Sequence, residues 1–109
     1  MVASTRRVVR VATVADLPPR HLHTLTVQDR SVVVVNLGGA FVAFDGSCTH
    51  AGGPLGEGRV VDGEHLRCPW HGARFVLRTG APCDAGPARK PLRLYPVHVD
   101  GDDVLVTLG

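Results

Sequence analysis

The chain is predicted to be all-β, and three observations carry that expectation. Almost every segment reads as a short alternating or β-branched run bounded by turn residues. No stretch has the sustained periodicity of a long helix, and no repeat or low-complexity tract interrupts the pattern. Regular strand patterns at both ends also bracket a middle rich in glycine and proline: residues 46–91 hold nine glycines, five prolines and all three cysteines. At 109 residues a single domain spanning 1–109 is expected. Its form would be an antiparallel β base made from both ends of the chain, carrying an inserted subdomain at about 46–91.

The elements follow in order. Alternation in Arg7-Val8-Val9-Arg10-Val11-Ala12-Thr13-Val14 predicts a first strand, and Asp16-Leu17-Pro18-Pro19 a turn that could include one helical turn. Residues 21–27 alternate, and Asp29-Arg30 turns the chain into Val32-Val33-Val34-Val35, a β-branched run typical of a buried strand. Gly38-Gly39 is a tight turn into Phe41-Val42-Ala43-Phe44, which makes a hairpin. Within the insert, residues 58–61 and 64–67 flank Asp62-Gly63, a strong hairpin signal. Strands return at Leu94-Tyr95-Pro96-Val97-His98-Val99 and at 103–108, joined by Asp100-Gly101-Asp102.

The insert holds two short motifs, Cys48-Thr49-His50 and Cys68-Pro69-Trp70-His71, with 17 residues between His50 and Cys68. Together they offer two thiolates and two imidazoles to a metal centre. Calcium and magnesium want oxygen ligands, which leaves zinc and iron–sulfur. Structural zinc sites usually take like ligands from each half, whereas here each half supplies one Cys and one His. Two-Cys, two-His ligation is the signature of a Rieske 2Fe–2S cluster, in which imidazoles replace the thiolates on one iron. The spacing favours iron–sulfur and leaves zinc open.

The flanking residues go further. Cys48-Thr49-His50-Ala51-Gly52-Gly53-Pro54-Leu55 and Cys68-Pro69-Trp70-His71-Gly72-Ala73-Arg74-Phe75 resemble the two cluster loops of Rieske ferredoxins. Phe41-Val42-Ala43-Phe44-Asp45, Leu77-Arg78-Thr79-Gly80 and Tyr95-Pro96-Val97 extend the resemblance over nearly the whole chain. It implies the Rieske iron–sulfur fold, with Cys48 and Cys68 on the inner iron of a 2Fe–2S cluster and His50 and His71 on the outer one. Gly52, Gly53 and Gly72 would bring backbone N–H groups near the sulfurs, Pro54 and Pro69 would stiffen the loops, and Trp70 would cover one side. Formally, an oxidised cluster with two thiolates is about neutral, against about −2 with four, so its potential lies higher than that of plant-type ferredoxins. That potential should fall with pH once a ligand His titrates.

Quinol-oxidising members of that family add a disulfide between the loops and a serine near the second His. The corresponding positions here are Gly53, Trp70 and Ala73, so the bridge and the hydroxyl donor are absent. The pattern resembles the soluble ferredoxins that relay electrons from a flavin-dependent reductase to a terminal oxygenase of the ring-hydroxylating kind. The potential should then lie near the low end of the Rieske range. The chain has no room for a second, catalytic iron domain, and no nucleophile elbow or phosphate loop, so an electron carrier is expected rather than an enzyme. A small subunit of a nitrite-reductase-like redox complex and a zinc-stabilised binding module remain as alternatives.

Other features restrict the setting. A net charge of +2 is too mild to argue for nucleic acid, and no run of 18 apolar residues argues for a membrane span. The basic runs Arg6-Arg7-Val8-Val9-Arg10 and Arg89-Lys90-Pro91-Leu92-Arg93 read as solvated surface, with a docking patch for an acidic redox partner as the alternative; Arg74 and Arg78 beside the second motif could serve surface solubility or steer partners. Three cysteines cannot complete a disulfide framework, and Ser4-Thr5-Arg6-Arg7 is followed by no apolar export segment; a cytoplasmic monomer is expected. Cys83 reads as a loop thiol, and His21, His23, His65 and His98 as strand residues without a ligand role. The sign of the partner's surface is left open.

Overall fold

The computed structural model describes residues 7–27, 29–47, 54–61, 64–69, 73–82 and 91–108. They form ten strands in three antiparallel sheets, with no helix longer than a single 3₁₀ turn among them. The all-β expectation holds. Strands β1 (Arg7–Thr13), β9 (Val97–Asp100) and β10 (Asp103–Leu108) make the first sheet, in the order β1-β10-β9. The second sheet runs β2-β3-β4-β8, from β2 (Leu22–Val27), β3 (Arg30–Asn36), β4 (Phe41–Asp45) and β8 (Leu94–Tyr95). The third is β5 (Arg59–Val61), β6 (His65–Arg67) and β7 (Arg74–Val76), each paired with the next along the chain.

The valine run explains how the sheets stack. Successive side chains of a strand point to opposite faces, yet Val32, Val33, Val34 and Val35 are all fully buried. Val32 and Val34 enter one core with Val104, Val106 and Leu108 of β10, Ala12 of β1, and Tyr95. Val33 and Val35 enter the other with Phe44, Leu55, Leu66, Cys68, Ala73, Phe75, Leu77 and Leu92. The second sheet is therefore a middle layer covered on both faces. Strand β10 shows the complementary pattern, Val104, Val106 and Leu108 inward and the residues between them partly solvated, as expected of a sheet with one wet face.

Turns close the hairpins as their residues require. Gly38 and Gly39 take φ values of 87° and 109°, and both amides donate to the Asn36 side chain, at 2.8 and 3.0 Å. After β1, the Thr13 hydroxyl and amide both donate to the Asp16 carboxylate, at 2.8 and 3.2 Å, around a 3₁₀ turn at Val14–Asp16. The hydroxyl bond is the main reason the Asp16 carboxyl is held below its ordinary range.

One expectation needs correction, and one strand was not anticipated. Residues 94–99 do not form one strand: Leu94 and Tyr95 pair with Phe44 and Ala43 in the middle sheet, while Val97–Asp100 pairs with β10 in the first. Pro96 lies at the crossing, where it has no N–H to give either ladder. The second motif is followed directly by β7, which the glycine-rich composition hid; Arg74, Phe75 and Val76 pair with Arg67, Leu66 and His65.

Candidate metal centre

Of the four residues expected to bind metal, Cys68 lies within the described residues; Cys48, His50 and His71 lie outside them. The structure therefore places the frame of both motifs and one of the four expected residues. Around the first motif, Ser47 and Pro54 face each other in an antiparallel bridge, and the Leu55 amide donates to the Gly46 carbonyl at 2.9 Å. The chain thus leaves and re-enters at one point. The second motif is closed in the same way: the Cys68 amide donates to the Ala73 carbonyl at 2.7 Å, between the end of β6 and the start of β7.

The two frames meet on one core. Leu55, just after the first motif, and Cys68 and Ala73, at the ends of the second, belong to the apolar cluster beneath the middle sheet. Backbone contact fixes the approach: a Cβ on Gly58 would collide with the Arg67 carbonyl oxygen, so glycine alone lets this segment lie against β6. Glu57, Gly58 and Arg59 accordingly line a pocket together with Arg67, Cys68 and Pro69. Farther out, the Asp45 amide donates to the Arg93 carbonyl at 3.0 Å and the Leu92 amide to Gly80 at 2.7 Å, so segment 46–91 begins and ends side by side.

Cys68 is 1% exposed, with its side chain among Leu55, Leu66 and Phe75. A thiolate there is sheltered from water, which suits a soft metal ligand on the protein-facing side of a centre. Among the described residues no cluster of three or more His, Cys, Asp or Glu offers a competing metal site. Buried Cys68 and the frames that close both motifs fit such a centre.

The residues not assigned to the centre are also placed. His21 precedes β2 and is exposed, His23 is half-buried in β2, and His98 is exposed on β9; Cys83 lies outside the described residues. His65 is half-buried on β6, and its Nδ1 atom is buried without a hydrogen-bond partner among the described residues. Next to it, Arg78 Nε donates to Glu64 at 2.6 Å, and that bond holds the Glu64 carboxyl below its ordinary range.

Comparison with known proteins agrees with this frame. The family description "Rieske [2Fe-2S] domain" matches residues 7–96. The 3-phenylpropionate/cinnamic acid dioxygenase ferredoxin subunit of Escherichia coli (strain K12) is 38% identical over 96 residues, covering 87% of this chain and 88% of its own. The ferredoxin of carbazole 1,9a-dioxygenase from Nocardioides aromaticivorans IC177 superposes with a TM-score of 0.84 at 38% identity, covering 91% of this chain and 95% of its own. A further match is to a complex of reduced oxygenase and oxidised ferredoxin in carbazole 1,9a-dioxygenase, with a TM-score of 0.83 at 31% identity and 91% of each chain covered.

Proposed function

The chain belongs to the Rieske [2Fe–2S] family, and on that premise we propose that it receives single electrons from a flavin-dependent reductase and passes them to a terminal oxygenase. The observation that carries this reading is the joining of both motif frames on one apolar core, with Cys68, the first residue of the second motif, buried in it. The relatives add to it, since they are ferredoxins of dioxygenase systems, and one of them was captured with its oxygenase.

In this reading Cys48 and Cys68 are the thiolate ligands and His50 and His71 the imidazole ligands. When bound, the cluster supplies one reversible single-electron step, at a higher potential than an all-thiolate cluster because neutral imidazoles replace two thiolates. The chain's own residues hold and shelter the site. Leu55, Leu66 and Phe75 exclude water from the Cys68 side, and the Gly46–Leu55 and Cys68–Ala73 backbone bonds fix where each motif begins and ends. Rigid ends limit reorganisation when charge changes. We take residues 46–91 as the cluster-binding subdomain of a single domain, supported by the side-by-side backbone at Asp45 and Arg93.

Variants test the ligand set. In His71→Ala, reductase-dependent electron delivery should be lost together with the visible absorption of the cluster. In Cys83→Ser both should remain, because that thiol is assigned no role. Delivery by the His71 variant at the wild-type rate would remove His71 from the ligands.

A further inference from the structure

The third sheet sets Arg59, Arg67 and Arg74 directly opposite one another: Arg59 pairs with Arg67 across β5 and β6, and Arg67 with Arg74 across β6 and β7. Residues in such register put their side chains on one face. The inner face belongs to the next row, Val60, Leu66 and Phe75, of which Leu66 and Phe75 are fully buried. The arginines face outward, Arg59 and Arg67 exposed and Arg74 half-buried.

Like charges placed directly opposite destabilise a sheet. No ion pair among the described residues neutralises Arg59 or Arg67. The carboxylate of Glu64, in the turn before β6, is engaged by Arg78. Among the described residues, Glu57 is the acidic residue that lines the pocket Arg59 and Arg67 share with Cys68. Arg20 extends the strip, lining a second pocket with Arg59. Its backbone has a φ of 64°, costly for a residue with a side chain, and is held by an amide bond to the Asn36 carbonyl at 2.8 Å.

The location gives the strip its use. Arg67 immediately precedes Cys68, and Arg74 immediately follows Ala73, which closes the second motif. A protein with a net charge of only +2 thus concentrates cations beside its metal site. We propose that Arg20, Arg59 and Arg67 form the docking surface for the protein that accepts the electron, and that this acceptor bears a carboxylate-rich face around its electron entry point. The proposal rests on the carrier reading above and adds the sign and the residues of the contact.

The test uses two haem proteins of opposite surface charge as acceptors: soluble cytochrome b5, whose haem edge is ringed by carboxylates, and cytochrome c, whose haem edge is ringed by lysines. Transfer from the reduced protein to cytochrome b5 should slow about tenfold as ionic strength rises from about 0.01 to 0.5 M, because the field is screened. Transfer to cytochrome c should not slow. Arg59→Gln/Arg67→Gln should slow the cytochrome b5 reaction several-fold at low salt, beyond what its measured change in reduction potential accounts for, and should flatten the salt dependence. Arg10→Gln, on β1 of the first sheet, should leave it within about twofold.

A salt-independent rate to cytochrome b5, or a salt-suppressed rate to cytochrome c, overturns the proposal. So does phosphate slowing transfer far more than chloride at equal ionic strength, which would make the strip a small-anion site. A protein that takes up no electron from a chemical reductant fails the carrier reading itself, before either cytochrome is added.

Discussion

Tyr95 shows how single residues divide between packing and chemistry. Its ring is buried in the core between the first and middle sheets, flanked by the guanidinium groups of Arg93 and Arg30 at 5.4 and 5.9 Å from the ring centre. Its hydroxyl is buried without a hydrogen-bond partner among the described residues. An unpaired buried hydroxyl costs free energy, on the order of 1–3 kcal/mol. Tyr95→Phe keeps the ring and should therefore leave the melting temperature unchanged or raise it, as calorimetry would show. Glu64 behaves oppositely. Its carboxyl is held below its ordinary value of 4.5 by the bond from Arg78. A depressed carboxylate stabilises the fold above that ordinary value and loses the contribution as pH falls through the folded value. The melting-temperature gap between wild type and Glu64→Gln should thus be present at pH 6 and shrink as pH falls below the ordinary carboxylate range; it should be small, because the pair is solvated. A gap that widens with acid would show that the Arg78 bond is not its source.

At the level of elements, the four valines of β3 make the clearest prediction. Val33 faces the core that carries Cys68, and Val34 faces the core against β10. Truncating either to Ala leaves a cavity and should cost about 2 kcal/mol in denaturant unfolding. Only Val33→Ala should also loosen cluster retention, measured as loss of visible absorption under chelator. Gly58→Ala should do both more severely, since its Cβ would meet the Arg67 carbonyl rather than a movable side chain. These elements also show how far the sequence could be read. The β3–β4 and β9–β10 hairpins were legible because Gly38-Gly39 and Asp100-Gly101 are local turn signals between strands that pair with each other. Strand β7 was not, because three residues give no periodicity and their pairing depends on partners outside the segment. The break at Pro96 left only the proline as a sign, since Tyr95 and Val97 alternate smoothly across it. The arginine row was invisible for the same reason. Arg59, Arg67 and Arg74 are far apart in sequence, and only register makes them neighbours.

For the whole molecule, three layers divide the labour. The first sheet, from the two ends of the chain, covers one side of the middle sheet, and the third sheet with both motif frames covers the other. The motif residues pointed to a two-Cys, two-His centre by their types and spacing, whereas the frame that closes on both motifs arises from contacts between distant segments such as Gly58 and Arg67. The central claim is that this frame holds a cluster with mixed thiolate and imidazole ligands and exchanges one electron. The most direct measurement is a redox titration of the purified protein followed by electron paramagnetic resonance of the reduced state. A Rieske-type signal appearing with a single one-electron midpoint near about −150 mV, the low end of the range for such clusters, is the result expected. A colourless protein holding zinc, with no signal on reduction, would contradict it.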